Sequence, residues 1–165
     1  MGGPAVVRCV VRTRVLEPTL YSVGDVRATA WHPCMAPGGD RWSFPAEIST
    51  GVDCDVAYVY SFLFEGRATG YLSAGGTAVI GLGHGITDDS VAAHPFYGTA
   101  RVIDALKDCP GFSEGRVDLL DGAYIRAAGN RYVSAIDPDR VVGLTAPRTV
   151  PTMMAVESRL VAVIA

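Results

Sequence analysis

Apolar and polar residues alternate along the first part of the chain. From Val7 to Val15 the odd positions hold Val, Cys or Thr, whereas Arg8, Arg12 and Arg14 occupy even positions. Successive side chains of a β-strand point to opposite faces of the sheet. The pattern therefore predicts a half-buried strand whose arginines face solvent.

Further strands are predicted in the middle of the chain. Residues 53–64 are rich in Val, Tyr and Phe, which fit the pleated surface of a sheet. Glu65-Gly66 is a two-residue turn signal, which predicts that residues 67–73 form the returning strand of a hairpin. A pair of glycines at 75–76 then leads into another apolar strand at 77–82.

The last third of the chain repeats these signals. Residues 123–127 and 132–136 flank a short loop that contains Gly129, and this arrangement predicts a second hairpin. Residues 155–164 alternate again and predict a terminal strand.

Two segments are candidates for helix. Val26–Met35 contains good helix formers, but His32-Pro33 interrupts it because proline disfavours helical geometry in the preceding residue. Ala100–Lys107 is the better candidate, although it also fits a strand. Glycines and prolines divide the rest into segments of about 8–12 residues, as in barrels and sandwiches. We predict a mainly β protein, a small closed antiparallel β-barrel with one or two short helices, as one domain over residues 1–165.

Composition narrows the classes of function. Of 165 residues, 49% are hydrophobic and 19% charged, and the net charge is −3. The chain is too apolar for a disordered protein, and it has neither a basic patch for nucleic acid nor an unbroken apolar stretch of about 18 residues. The amino terminus lacks the basic and apolar regions of a signal peptide. We expect a cytoplasmic protein that binds neither nucleic acid nor membranes.

Apolar character on both faces of the predicted strands bears on assembly. The mean hydropathy is +0.26, and alternate positions of residues 53–64 are apolar on one face and semi-apolar on the other. We expect a homodimer or a larger closed oligomer, with the homodimer preferred because twofold symmetry is the commonest way to cover such surfaces.

Cysteines and glycine-rich segments give no cofactor signature. Cys9, Cys34, Cys54 and Cys109 lack the spacing of a zinc site, and we expect them to be small buried hydrophobic residues. The glycines within residues 81–85 superficially match a phosphate-binding loop, but no helix pattern follows them. We predict no cofactor and no metal.

The chain has three histidines, His32, His84 and His94, and each lies beside Pro or Gly in loop-like sequence. His84 is a candidate acid or base because it follows an apolar strand between two glycines. An ordinary solvated loop histidine is the alternative. His32 lies two residues from Cys34. This spacing allows two interpretations, a reactive thiolate that pairs with the imidazole or an ordinary loop.

Aromatic residues define a candidate pocket. Tyr58, Tyr60 and Phe62 share one face of the predicted strand, and Tyr71 lies on the returning strand. If these rings face inward, they line a substrate pocket together with Trp42, and if outward they form a dimer surface.

An acidic residue lies near this aromatic set in sequence. Glu47 follows Trp42 closely and is a candidate acid or base, with an exposed charge as the alternative. The predicted catalytic residues are Glu47, His84, Tyr60 and Tyr71, and the predicted substrate-binding residues are Trp42, Tyr58 and Phe62.

Several stretches resemble the cyclophilin-like β-barrel proteins. Residues 41–50 begin with Arg-Trp-Ser, and residues 70–84 begin with Gly-x-Tyr and continue through a small-residue turn into an apolar strand. Residues 97–112 and 121–125 are similar to the closing segment of that group. Pro33 stands where the catalytic arginine of true cyclophilins would be, so peptidyl-prolyl isomerase activity is not implied. The cucumopine synthases of this group condense an amino acid with a keto acid.

A second resemblance concerns residues 143–148 and the terminal strand, which look like the end of the spirotetronate cyclases. These small barrels fold polyenes for 4+2 cyclisation. Both resemblances imply a pocket for a small-molecule substrate and no cofactor. The expected function is a cofactor-independent cyclase or isomerase of a small, largely apolar natural-product intermediate. The alternative is a non-catalytic module that binds a ligand or peptide.

Overall fold

The computed structural model describes residues 6–66, 70–126, 128–129 and 132–143. In this part of the chain the strands are β1 (Val7–Arg14), β2 (Thr19–Val23), β3 (Val26–Ala28), β4 (Cys34–Met35), β5 (Gly51–Asp53), β6 (Tyr58–Phe64), β7 (Tyr71–Ala74), β8 (Thr77–Ile80), β9 (Arg116–Leu119), β10 (Tyr124–Arg126) and β11 (Val133–Ile136). The helices are α1 (Pro45–Ile48) and α2 (Ala100–Lys107), and a 3-10 turn spans Pro138–Arg140. The protein is mainly β with few helices, as the alternation predicts.

The strands of the described residues form several small sheets and no closed barrel. Within the described residues the strand orders are β6-β1-β9, β3-β2-β5, β4-β8-β7 and β10-β11, and none of these sheets closes on itself. The expectation of a closed antiparallel barrel is wrong. The strands are two to eight residues long, and glycine- and proline-rich loops separate them, so one ladder does not continue around a barrel.

β1 is the central strand of one of these sheets. It pairs antiparallel with β6 and parallel with β9, so that Val11 lies opposite both Ser61 and Val117. From Cys9 onward the odd positions of β1 are buried, Thr13 included. The alternation predicted from the sequence is confirmed here, whereas the parallel pairing departs from the expected antiparallel sheet.

The hairpin in the middle of the chain forms at Gly75-Gly76 and not at Glu65-Gly66. β7 pairs with β8, whereas β6 pairs with β1. Gly75 and Gly76 have φ values of +56° and +79°, and a type I′ turn needs positive φ at both central residues. Glu65 carries a side chain that disfavours positive φ, so the hairpin predicted there is wrong.

α2 confirms the better of the two helix candidates. The Thr99 side chain accepts a hydrogen bond from the Arg101 N–H at the start of the helix, and Val102 and Leu106 are buried on one face. The other candidate, residues 26–35, forms β3 and β4 with a proline between them.

The largest core cluster lies between α2 and the sheet β6-β1-β9, which we call the central sheet. It includes Val11 of β1, Leu63 of β6, Leu106 of α2 and Val117 of β9. All four cysteines are free and buried, which confirms the expectation that they act as small hydrophobic residues.

Parts of the predicted segments fall outside the described residues: the terminal strand at 155–164, the start of the returning strand at 67–69, residue 127 of the strand at 123–127, and residues 144–148 of the second resemblance. Among the helices that the structure does describe, none is long and apolar enough to cross a membrane.

Candidate functional site

A cavity of about 320 Å³ opens between the loop after β3, the end of β8 and the segment before α2. Apolar side chains form much of its wall, including Ile80, Leu82, Val91 and Val133. A cavity of this size and composition can hold a few residues of an extended peptide or a small apolar molecule.

The cavity brings together all three histidines of the chain. His32 comes from the loop between β3 and β4, His84 from the loop after β8, and His94 from the loop before α2. The charge that His84 would carry lowers the pKa of both His32 and His94. Burial is the largest cause of both shifts, and His84 lies close enough to both rings to add to it.

His32 is the most buried of the three, with 2% of its surface exposed. Its backbone N–H donates to the carbonyl of Thr29, which closes a turn before β4. Burial lowers the pKa of the imidazole to about 4, and a hydrogen bond with the backbone of Ile80 opposes this shift. The ring is neutral near neutral pH.

His84 is held through its ring and through its flanking backbone. Nδ1 accepts a hydrogen bond from the Ile86 N–H at 3.0 Å. The amide groups on either side of His84 donate to the carbonyls of Tyr97 and Gly98. Burial lowers the pKa of this imidazole to about 4.

Two glycines make room for His84. A Cβ atom on Gly98 would lie 2.9 Å from Cε1 and 3.0 Å from Nε2 of His84, and one on Gly70 would lie 2.7 Å from the His84 Cβ. Both positions need glycine because the histidine approaches so closely.

His94 is held in a similar way. Its Nδ1 accepts hydrogen bonds from the N–H groups of Phe96 at 3.1 Å and Tyr97 at 3.0 Å. The ring packs on Tyr97 and Tyr132, with centroid distances of 4.6 and 5.1 Å. Burial lowers the pKa of His94 to about 4, and the positive charge of Arg126 adds to this effect.

Tyr97 contributes a buried phenol beside His94. Its ring packs edge-on against Tyr124 at 5.4 Å. Within the part of the chain that the structure describes, its hydroxyl oxygen is buried without a hydrogen-bond partner. Burial raises the pKa of Tyr97 well above its ordinary value, so the phenol stays neutral.

Two aromatic side chains stand at one side of the cavity. Trp31 is 60% exposed, and its ring meets that of Phe44 edge-on at 5.5 Å. The Ala46 N–H donates to the Ala30 carbonyl, which fastens α1 to the loop that carries Trp31. An exposed tryptophan beside an apolar cavity indicates a surface for an apolar group.

The described residues hold no group of three or more His, Cys, Asp or Glu side chains arranged to bind a metal ion. The absence of a cofactor from the function of the protein stays a prediction.

Of the seven residues predicted as a site, the structure places His84 at the cavity. Glu47 is exposed on α1. Trp42 and Tyr71 contact each other edge-on at 6.2 Å, and Tyr71 is 44% exposed. These three residues do not line the cavity.

The three aromatic residues of β6 also lie outside the cavity lining. Tyr58, Tyr60 and Phe62 are half-buried on one face of the strand. The guanidinium of Arg12 lies 4.1 Å from the centre of the Tyr58 ring, and Phe62 packs against the cluster that contains Val79. The expected assembly of these rings with His84 is therefore not what the described residues form.

Sequence reasoning did not select His32, His94 or Tyr97. A partial signal was present, because each histidine lies beside a proline or glycine in a loop. Their convergence depends on how three distant loops pack, and no local pattern encodes it.

A Hint-domain family model, Vint, matches residues 1–133 of the chain. The match includes all three histidines and ends at Val133, which lines the cavity. No curated protein matches the chain.

This match contradicts both resemblances stated above. The chain is not a cyclophilin-like protein or a spirotetronate cyclase, and the expected cyclase or isomerase of a natural product is wrong. The alternative, a cyclophilin-like binding module, is wrong as well. The motif at 70–84 resembled those proteins because it is a glycine-turned hairpin, β7 and β8, which many β proteins contain.

Proposed function

Since the chain belongs to the Vint family of Hint domains, we propose that it is an autoprocessing domain, which rearranges a peptide bond of its own polypeptide within the histidine-lined cavity. The observation that carries this proposal is the convergence of three neutral imidazoles on one largely apolar cavity. A neutral histidine can transfer a proton or donate a hydrogen bond to developing charge in catalysis.

The chemistry needs a nucleophile, a way to stabilise the carbonyl oxygen and a proton for the leaving nitrogen. A side-chain hydroxyl or thiol attacks the carbonyl carbon of the preceding residue. The C–O or C–S bond forms, the C–N bond breaks, and the proton of the nucleophile ends on the nitrogen as an amine. The products contain the same atoms as the starting peptide, so no co-reactant is needed for this step.

The described residues place no cysteine in the cavity. Burial raises the pKa of Cys9, Cys34 and Cys109, which keeps these thiols protonated. Ser90 is the aliphatic hydroxyl among the described lining residues. We assign the nucleophile to the segment that carries the scissile bond, which lets the attack proceed through a five-membered ring.

The cavity wall favours this reaction in a second way. Apolar side chains such as Ile80, Leu82 and Val91 keep water away from the carbonyl carbon. In such an environment hydrogen bonds to developing charge are stronger than in water. Trp31 and Phe44 offer an apolar surface for a side chain next to the scissile bond.

The test uses two fusions, with a reporter protein ahead of residue 1 or behind residue 165, each joined through a junction that contains cysteine. Incubation with hydroxylamine is expected to release the reporter, and mass spectrometry is expected to find a hydroxamate at the junction. Substitutions His32→Ala, His84→Ala and His94→Ala should each slow release by about 100-fold or more.

Two control variants sharpen this test. Tyr60→Phe lies outside the cavity lining and should release the reporter at the wild-type rate. Ser90→Ala should also retain release, and its loss would identify Ser90 as the nucleophile instead. Absence of release from both wild-type fusions would contradict the proposed function.

A further inference from the structure

His84 and His94 are fixed in the same tautomer by the backbone. Nδ1 of His84 accepts one backbone N–H, and Nδ1 of His94 accepts two. A nitrogen that accepts a hydrogen bond cannot carry a proton, so the proton of each neutral ring lies on Nε2. Both rings therefore present an N–H donor at the end remote from their backbone contacts.

Neither Nε2 atom makes a hydrogen bond with the described residues, and neither is sealed from the cavity and solvent as the Tyr97 hydroxyl is. The remaining polar atom of each ring is thus available to a molecule in the cavity. A ring N–H donor that faces an apolar cavity favours a ligand atom that accepts a hydrogen bond.

We propose that His84 and His94 act as hydrogen-bond donors through Nε2–H to the carbonyl oxygen of the bond held in the cavity, and not as proton acceptors. This inference rests on the proposed function, since it specifies which atoms of that site meet the peptide. A neutral imidazole can polarise a carbonyl in this way and stabilise the oxygen as negative charge develops.

The hydrogen bonds at Nδ1 and the burial of both rings disfavour the usual role of a base. Nε2 already holds its proton, and protonation at Nδ1 would break the hydrogen bonds from Ile86 or from Phe96 and Tyr97. Burial lowers the pKa of both rings to about 4. Near neutral pH each ring is therefore a poor proton acceptor and a permanent donor.

The donor of His84 is also held in a defined position. Gly98 packs against the Cε1 and Nε2 edge, Gly70 packs against Cβ, and the flanking amides are bonded to the carbonyls of Tyr97 and Gly98. A donor that is oriented before the reaction needs no reorganisation when charge appears on the carbonyl oxygen.

Nitrogen-15 NMR tests the tautomers directly in the full chain. Long-range 15N–1H spectra at about pH 7 distinguish a protonated ring nitrogen from an unprotonated one, and the three histidines can be assigned with His→Gln variants. We expect His84 and His94 to show unprotonated Nδ1 and protonated Nε2. Protonated Nδ1, or an imidazolium, in either ring would overturn the proposal for that ring.

A matched pair of substitutions tests the function of the donor. In His84→Gln the side-chain amide places an N–H donor near the Nε2 position, whereas in His84→Asn the shorter amide reaches only the Nδ1 position. We expect His84→Asn and His84→Ala to slow reporter release by about 100-fold, which is the usual loss for one such donor. His84→Gln should recover at least ten-fold of that loss.

The same comparison applies to His94. If Gln is as slow as Ala at both positions, the rings act as bases and the donor assignment is wrong, because an amide cannot accept a proton. If the wild-type fusions are not processed at all, the proposed function fails. The tautomer measurement then still decides whether the two rings are donors.

Discussion

The cavity and the central sheet differ in the charge state of their buried titratable side chains. Three histidines at the cavity are kept neutral by burial, with each pKa lowered to about 4. In the central sheet Asp118 is 6% exposed, and its Oδ1 lies 2.9 Å from Nε of Arg12 and 3.0 Å from Nε of Arg116. There a carboxylate is retained because two cations accompany it.

The difference follows from what each group can do when it leaves water. An imidazole can release its proton within the ordinary pH range, which removes the cost of burying a charge. A carboxylate beside two guanidinium groups gains more from keeping its charge than from losing it. The sheet thus keeps a buried charge together with its partners, whereas the cavity keeps its titratable side chains neutral.

Removal of the carboxylate should produce the largest effect of any single substitution considered. Asp118→Asn leaves Arg12 and Arg116 without their common partner, and we expect a loss of about 3 kcal/mol in the free energy of unfolding. Urea denaturation measures it. Asp104→Asn is the matched control, because Asp104 pairs with Lys107 on the exposed surface and should change stability by less than about 0.5 kcal/mol. Equal losses in both variants would show that burial of the sheet pair has no energetic consequence.

Acidification should lower the free energy of unfolding at pH values at which the histidines of the folded chain are still neutral. The pKa of His32 falls from 6.5 to about 4 on folding, so between these values the unfolded chain binds a proton that the folded chain does not. The free energy of unfolding should therefore fall as pH drops through this window, by about 1.4 kcal/mol per pH unit from His32. His84 and His94 act in the same direction.

Urea denaturation at several pH values between about 7 and 4 measures this slope. The slope should become shallower in His32→Gln, which has no titrating ring at that position. An identical slope in the variant would mean that His32 titrates alike in both states.

Gly98→Ala should disturb the cavity through packing alone. The new Cβ would lie 2.9 Å from both the His84 Cε1 and the backbone oxygen of His94, so the loops must shift. We expect a loss of about 2 kcal/mol together with a shifted His84 signal in NMR spectra. Gly143→Ala is the control, since nothing lies within 4 Å of its added Cβ. Equal stability of Gly98→Ala and Gly143→Ala would contradict the close packing of His84 against Gly98.

The smallest effect concerns two buried phenols. The Tyr97 hydroxyl has no partner among the described residues, so Tyr97→Phe should be neutral or stabilise the fold by up to about 1 kcal/mol. The Tyr124 hydroxyl bonds to the side chains of Thr13 and Ser61, and Tyr124→Phe should cost about 1 kcal/mol. Thermal denaturation of both variants measures the difference in their stabilities. A larger loss of stability in Tyr97→Phe than in Tyr124→Phe would contradict this prediction.

Local features of this fold could be predicted because local signals encode them. The alternation in β1 and the helix pattern of α2 each depend on side chains within one short segment. The pairing of β1 with β9 depends on residues 106 positions apart, such as Arg12 and Asp118, and no turn signal connects them. Glu65-Gly66 and Gly75-Gly76 both have the sequence of a two-residue turn, so the sequence alone does not locate the hairpin. Only Gly75-Gly76 has positive φ at both residues, as this hairpin requires.

The site was harder to predict for a similar reason. His84 stood out because an apolar strand precedes it, but its partners come from loops whose sequences carry no strong period. The tyrosines of β6 form a regular pattern, and a regular pattern in a strand indicates a shared face of the sheet and not a shared chemistry.

The parallel pairing of β1 with β9 also sets an order in time. A ribosome makes the chain at about 5–20 residues per second. β1 is therefore made well before β9, the strand that pairs with it more than a hundred residues later in the chain. The cavity wall waits longer still, because Val133 belongs to it. If the proposed function holds, the bond that the cavity processes stays intact until Val133 has been made and the domain has folded, so folding sets the time at which processing begins.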